Sequence, residues 1–270
     1  MRPITDSELA SFQRFIFEQA GITMSAQKKA LITGRLTKRL TAHQLEDFGT
    51  YFKMLTTGEH PDEVQIAVDL LTTNETYFFR EIKHFDFLRA KAASSISATD
   101  RSGPYRVWSA ASSTGEEAYS IAMVLSDVLG GRPWEVLGTD ISSQVLRVAV
   151  RGLYPLQRTR HIPPDYLHRF CLKGSGDHEG ELLIERGLRE RLLFRQVNLN
   201  EALPTVGQFD MIFLRNVMIY FNDATKRDVV ERLAKALKPD GFLCIGHSES
   251  LNKITEVVEP VAPSIYCKAR

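Results

Sequence analysis

The chain has 270 residues, 43% of them hydrophobic, with 34 Lys and Arg against 33 Asp and Glu for a net charge of +1. Such a length can bury one large core and a smaller second one, and the charge balance excludes a global pull toward nucleic acid or an anionic membrane. Cys171, Cys244 and Cys267 are scattered, no signal-peptide pattern opens the sequence and no apolar run reaches membrane length, so it predicts a cytoplasmic protein without disulfide framework, structural zinc or direct membrane insertion.

From residue 4 to residue 72 the sequence predicts helices throughout, with apolar residues three and four apart in LASFQRFIFEQAGI and VQIAVDLL. No Asp or Glu occurs between Gln19 and Leu45. Within that gap SAQKKALITGRLTKRL has Ser25 as a candidate N-cap, and helical spacing puts Lys28, Arg35 and Arg39 on one stripe with Lys38 beside it. Such a stripe can dock on an acidic partner, be a solvated face, or touch nucleic acid.

NETYFFRE, residues 74 to 81, reads as a short helix, followed by a polar surface loop from Lys91 to Gly103. From about residue 105 short apolar runs alternate with helical stretches: YRVWSA, EEAYSIAMVLSDVL, WEVLGTD and SSQVLRVAVRG. The rhythm resumes with RLLFRQVN, FDMIFLRNVMIYF, the helix TKRDVVERLAKALK ending at Pro239-Asp240-Gly241, then the strands GFLCIGH and SIYCKA. This is the pattern of a doubly wound α/β sheet preceded by an all-helical domain. LHRFCLKGSGDHEGELLIER departs from it and reads as two strands around a turn, a small β insertion.

In such sheets ligands bind beyond the carboxyl ends of the strands. At the first strand end, WSAASSTGEEAYS offers small side chains, a single glycine at Gly115 and the pair Glu116-Glu117 opening a helix. One glycine makes a poor phosphate cradle and two carboxylates repel a pyrophosphate, so a neutral or cationic nucleoside suits the loop better; the carboxylates can also simply complement the helix dipole. Asp140, closing GTD, is placed to accept hydrogen bonds from ribose hydroxyls or to cap the next helix. Asn198, Arg215 and Asn216 are polar tips on otherwise apolar strands. Seven histidines occur, none in metal spacing; His247 in GHSES either borders a cleft or sits in a turn.

NETYFFRE, WSAASSTGEEAYSIA, GTDIS, LRNVMIYF and GHSES, in this order and spacing, resemble the chemotaxis receptor glutamate O-methyltransferases, the CheR family, over nearly the whole chain. The resemblance implies a mostly parallel seven-stranded methyltransferase sheet with a small antiparallel insertion near 167–192, a helical receptor-recognition domain at 1–73 and a catalytic domain at 74–270. It implies S-adenosylmethionine as methyl donor, S-adenosylhomocysteine as product and no metal. By motif, Asn74, Thr76 and Arg80 contact the donor from the segment joining the domains. Glu116 faces its methionine or sulfonium end, Asp140 its ribose, and Asn198 with Leu199 its adenine. Arg215 and Asn216 line the methionine-side pocket and Tyr220 lies near the reacting methyl, with Arg80 and Tyr220 as the catalytic pair. The motif varies at Glu75 and Tyr77, which take no role. Phe78 and Phe79 are expected to anchor the NETYFFRE segment to the sheet while its polar groups project over the donor.

The implied partner is the cytoplasmic helical bundle of a chemoreceptor, met by Lys28, Arg35, Lys38 and Arg39, which would recruit the protein to membrane receptor arrays. In some members of the family the insertion also pairs with a short peptide at the receptor C-terminus. Two other classes compete. A nucleic-acid amino-methyltransferase would carry an Asn or Asp-Pro-Pro-aromatic run where this chain has LRNVMIYF, and the balanced charge gives it no support; a non-catalytic donor-binding module is the other.

Overall fold

The computed structural model describes residues 2–97 and 103–269. Four helices come first: α1 (Asp6–Ala20), α2 (Lys29–Ala42), α3 (Phe48–Thr56) and α4 (Pro61–Leu71). Thr5 and Glu8 start α1 with a reciprocal capping box, and Gly21 ends it in the left-handed conformation. Phe12, Phe15, Ile16, Ile32, Leu36 and Tyr51 pack into a core of their own. Glu63 fastens its rim by accepting from Arg39 at 2.6 and 2.8 Å and from the Tyr51 hydroxyl at 2.7 Å. Burial by itself would raise the Glu63 carboxyl, but hydrogen bonds from Arg39, Tyr51 and His43 outweigh it and hold it down at about 2.

NETYFFRE is not a helix. Residues 73–77 are irregular and 78–81 form a turn, with Phe79 and Glu81 at φ 55° and 58°. Phe78 and Phe79 are buried against Tyr154, Phe85 and Tyr166. The side chains bury as expected, and because two left-handed residues interrupt the turn the backbone cannot wind into a helix. The result is a strap laid across the sheet domain. Helix α5 (Lys83–Ser94) follows. It continues through KAAS and a short 3₁₀ turn to Ser97, so the surface loop expected from Lys91 starts later, and its remaining residues 98–102 lie outside the described residues.

The sheet domain then runs β1 (Tyr105–Ala110), α6 (Glu116–Leu129), β2 (Trp134–Asp140), α7 (Ser143–Arg151), β3 (Leu153–Pro155), α8 (Pro164–Phe170), β4 (Cys171–Lys173), β5 (Glu181–Ile184), α9 (Arg186–Arg189), β6 (Leu192–Gln196), β7 (Phe209–Leu214), α10 (Asp223–Lys235), β8 (Leu237–Ile245), β9 (Val258–Ala262) and β10 (Ile265–Lys268). The main sheet has seven strands in the order β6-β2-β1-β7-β8-β10-β9. β6 to β8 pair in parallel, while β10 runs antiparallel to both β8 and β9. One face buries α5, α6 and the strap, the other buries α10. The sheet class agrees with the sequence, and two strands differ from it. β8 starts at Leu237 rather than Gly241, absorbing Pro239 where the register with β7 shifts. β9 was hidden by Pro260, which a strand tolerates here because β9 is the sheet edge. The insertion has three strands, β3-β5-β4, because Leu153–Pro155 joins the two expected ones.

Among the described residues, several polar contacts join the helical and sheet domains. Thr23 N–H donates to the Tyr220 carbonyl at 2.8 Å and Ile22 bridges Phe221. Asp69, from α4, accepts from the N–H groups of Ser143 and Gln144 at 2.9 and 3.2 Å, capping the bare start of α7 across the domain boundary. Gln65 reaches the Ile141 carbonyl at 3.0 Å.

The depressed Glu63 carboxyl gives a signed pH expectation. Its stabilisation is fully present above the unfolded value of ~4.3 and disappears as pH falls from about 5 toward 2. Thermal melts of wild type and Glu63→Gln are expected to differ near neutral pH and to converge under acid.

Candidate active site

β1 and β7 are sheet neighbours although β2 and β6 lie to one side and β8 to the other. The chain order therefore reverses between them, and a crevice opens beyond their carboxyl ends. The loops lining it hold non-glycine residues in the left-handed region: Ala111 at φ 63°, Ser113 at 50° and Asn216 at 57°. Such backbone costs about 1–3 kcal/mol per residue and survives where surrounding contacts over-determine it. Ser113 shows those contacts, donating its N–H to Asp140 at 2.9 Å and its hydroxyl to the Asn74 carbonyl at 2.8 Å. Gly115, at φ 94°, opens α6 where a Cβ would stand 2.8 Å from the Ala149 side chain, so only glycine lets α6 begin this close to α7.

An open cleft fills the crevice, with about 890 Å³ of empty space when the solvent at its mouth is included. The strap contributes Asn74, Thr76 and Arg80 to its wall, the ends of β2 and β6 contribute Asp140, Asn198 and Leu199, and the loop after β7 contributes Arg215, Asn216 and Tyr220. Ala20 and Ile22, from the end of α1, close a side that sequence patterns did not point to.

Glu116 is a correction. It is completely buried, accepts from the Thr114 hydroxyl at 2.6 Å and pairs with Arg158 at 2.5 Å, and it does not line the cavity. Glu117 does. Successive helical residues point about 100° apart, so one of the two carboxylates had to turn away, and adjacent identical residues gave no way to say which.

Glu117 is held by Ser109 Oγ at 2.6 Å and by Arg215 Nη1 at 2.8 Å. The Arg215 side chain is 1% exposed; its Nη2 donates to Glu81 at 3.1 Å and to the Arg80 carbonyl, and its plane lies near the Phe85 and Phe213 rings. Burial raises the Asp140 carboxyl to about 6, against N–H donors from Ser142 and Ser113 that lower it and with Asp69 nearby adding to the rise. Glu249, from GHSES, accepts N–H bonds from Gly246, Asn216 and Ile219 at 2.7, 3.0 and 3.1 Å and so pins the loop after β7 to the loop after β8. The Asn198 amide is fixed by the Gln19 carbonyl at 2.7 Å and Glu201 at 2.8 Å. Arg80 is different: its guanidinium meets the Glu75 carbonyl at 3.2 Å and the Tyr77 ring at 5.7 Å, and pairs with no carboxylate among the described residues.

The basic stripe is also corrected. Arg35 turns inward to the carbonyls of Leu71 and Thr72 at 3.1 and 2.8 Å, and Arg39 is committed to Glu63. Both face α4, because a stripe at helical spacing on a packed helix can anchor its neighbour as readily as face water. Lys28, in the 3₁₀ turn before α2, and Lys38 are exposed. A cluster of Glu81, His84 and His247 went unnoticed in the sequence, since 163 positions separate the two histidines.

A doubly wound sheet with a crevice at its switch point, lined by Asp140 and polar strand tips, is the layout of a ligand-binding α/β domain. Comparison with known proteins narrows that class. Residues 74–267 match the family described as "CheR methyltransferase, SAM binding domain", and residues 7–72 match "CheR methyltransferase, all-alpha domain". The chain is 40% identical over 270 residues to the chemotaxis protein methyltransferase of Salmonella typhimurium, covering 99% of this chain and 92% of that one. It is 41% identical over 254 residues to the Escherichia coli protein of the same name, covering 93% and 87%, and 38% identical over 268 residues to chemotaxis protein methyltransferase 2 of Pseudomonas aeruginosa, covering 98% and 94%. The chain belongs to the CheR methyltransferase family, and its sheet domain is the family's S-adenosylmethionine-binding unit.

Asp140 supplies a test of the cavity. An ionised carboxylate accepts from a ligand's hydroxyls more strongly than a protonated one, and with burial raising its pKa to about 6 Asp140 becomes protonated as pH falls through that value. S-adenosylhomocysteine affinity, measured by calorimetry, is expected to fall between about pH 7.5 and pH 5 in wild type. Asp140→Asn is expected to bind about 10- to 100-fold more weakly and to lose that pH dependence.

Proposed function

We propose that the protein transfers methyl groups from S-adenosylmethionine to glutamate side chains on the cytoplasmic helical bundle of chemoreceptors, leaving S-adenosylhomocysteine. The observation that carries this reading is Arg80, a guanidinium on the cavity wall that pairs with no carboxylate among the described residues, in a domain that matches the family's S-adenosylmethionine-binding unit. Bound there, S-adenosylmethionine supplies an electrophilic methyl on a sulfonium centre. Asp140 would accept from the ribose hydroxyls, Asn198 and Leu199 would border the adenine, and Glu117, in place of Glu116, would serve the methionine end with Arg215 and Asn216. Asn74 and Thr76 would cover the donor from the strap.

A glutamate with pKa near ~4.3 is already ionised at neutral pH, so its oxygen needs no general base. What remains for the protein is approach and orientation. Arg80 would orient the acceptor carboxylate by a charge-assisted bond, and the Tyr220 hydroxyl would assist it. The reaction then runs without a metal or a catalytic histidine.

Recruitment would use the exposed charges Lys28 and Lys38 against acidic receptor helices. β5 is the middle strand of the insertion, so β3 and β4 are its two edges, and either could add a receptor C-terminal peptide as a further strand. No helix among the described residues is long and apolar enough to cross a membrane; attachment to receptor arrays would go through the receptor.

The test is transfer of radiolabelled methyl to chemoreceptor-bearing membranes, followed by mild base, with RNA as a control acceptor. Base-labile label on the receptor band is the expected outcome; base-stable label, or label on RNA, would overturn the assignment. Arg80→Ala is expected to lower the transfer rate about 10- to 100-fold and Tyr220→Phe about 2- to 10-fold, each with donor affinity measured alongside. Wild-type turnover by Arg80→Ala would remove Arg80 from the acceptor site.

A further inference from the structure

The strap and the loop after β8 meet at a second cluster that methyl transfer leaves unused. Glu81, His84 and His247 bring a carboxylate oxygen and two ring nitrogens within 4.8 Å of one another. His84 Nδ1 stands 3.5 Å from Glu81 Oε2, and His247 Nε2 stands 4.0 Å from the same oxygen. The two rings are 5.0 Å apart.

Ser264 Oγ lies 2.8 Å from His84 Nε2 and 2.6 Å from the Pro263 carbonyl. With the hydroxyl proton on that carbonyl, Nε2 carries the ring hydrogen and Nδ1 is a lone pair able to ligate. The residue is 1% exposed, this nitrogen has no hydrogen-bond partner, and it faces a carboxylate. A buried lone pair turned toward a carboxylate is unfavourable unless a proton or a cation lies between them.

We propose that Glu81, His84 and His247 form a binding site for a divalent transition cation of the zinc class, with water as the fourth ligand. Two imidazoles and one carboxylate are a borderline-soft donor set that suits zinc and its neighbours, whereas magnesium and calcium require oxygen throughout. With metal–ligand bonds of about 2.0–2.2 Å, tetrahedral donors stand roughly 3.3–3.6 Å apart. The His84–Glu81 separation already meets that, and His247, whose side chain is 48% exposed on a loop, needs only a small movement. Ser264 supplies the outer hydrogen bond that orients a ligating imidazole. Arg215, 3.1 Å from Glu81 Oε2, competes with the cation for the carboxylate and limits the affinity, which makes the site exchangeable. Its effect is to clamp the strap to the loop after β8.

The test uses the full chain, stripped with chelator and titrated with zinc chloride alone, by calorimetry and by thermal melting. The expected result is one equivalent bound with micromolar affinity and a raised melting midpoint. His247→Ala, an exposed position outside the donor cavity, is expected to weaken binding roughly tenfold or more and to cancel the midpoint shift. Cobalt in place of zinc should give the absorption bands of a tetrahedral site in wild type and lose them in the variant. His84→Gln should behave likewise; if it does not fold, His247→Ala carries the comparison. Equal zinc affinity in wild type and His247→Ala would overturn the proposal, as would no saturable binding; the first is what the surface pair His178–Glu181, 2.7 Å apart, would produce if it took the ion instead.

Discussion

The site depends on one buried cation. Arg215, at the end of β7, ties together Glu117 on α6, Glu81 on the strap and the Arg80 carbonyl. A buried guanidinium left without partners costs several kcal/mol, and one whose carboxylates and carbonyl are all supplied specifies a single arrangement of the elements that supply them. The strap therefore has one place to lie, and Arg80, held by its own carbonyl and by its neighbour Glu81, is delivered to the cavity wall by a constraint in which its side chain takes no part.

The two domains are joined by the same economy of polar groups. Asp69 caps α7 from the other domain, Thr23 meets the Tyr220 carbonyl, and Asn198 is held by the carbonyl of Gln19. Each contact satisfies a backbone group at the edge of the cavity, which loops this close to a ligand would otherwise leave bare. The helical domain is thus part of the cavity wall, since Ala20 and Ile22 line it, and movement between the domains would alter the donor site directly.

Much of this was legible beforehand. The strands β1, β2 and β7 are short apolar runs with polar tips, and their tips are what line the cavity, because a side chain at a strand end has nowhere else to face. The strap's phenylalanines were equally legible as anchors, while its backbone was not: a run of eight residues with rings in the middle suits a helix or a turn, and the left-handed conformations of Phe79 and Glu81 are imposed by what the chain must reach. Glu116 and Glu117 are indistinguishable locally, yet one pairs with Arg158 behind the cavity and the other with Arg215 in its wall. Arg35 and Arg39 looked like solvent charges because their acceptors, the Leu71 and Thr72 carbonyls and Glu63, lie more than twenty residues further along the chain.

The sequence by itself determined the class of fold and the strand-end loops that hold Asp140, Asn198, Arg215 and Asn216, since these follow from hydrophobic period and from polar groups at strand ends, while Asn74, Thr76, Arg80, Leu199 and Tyr220 were legible only through the family resemblance. Only the tertiary structure decided which of two adjacent carboxylates enters the site, which arginines turn inward, and that Glu81, His84 and His247 converge. Those outcomes are set by pairing between groups distant in sequence, where burial makes every charge and lone pair choose a partner, and no local pattern records that choice.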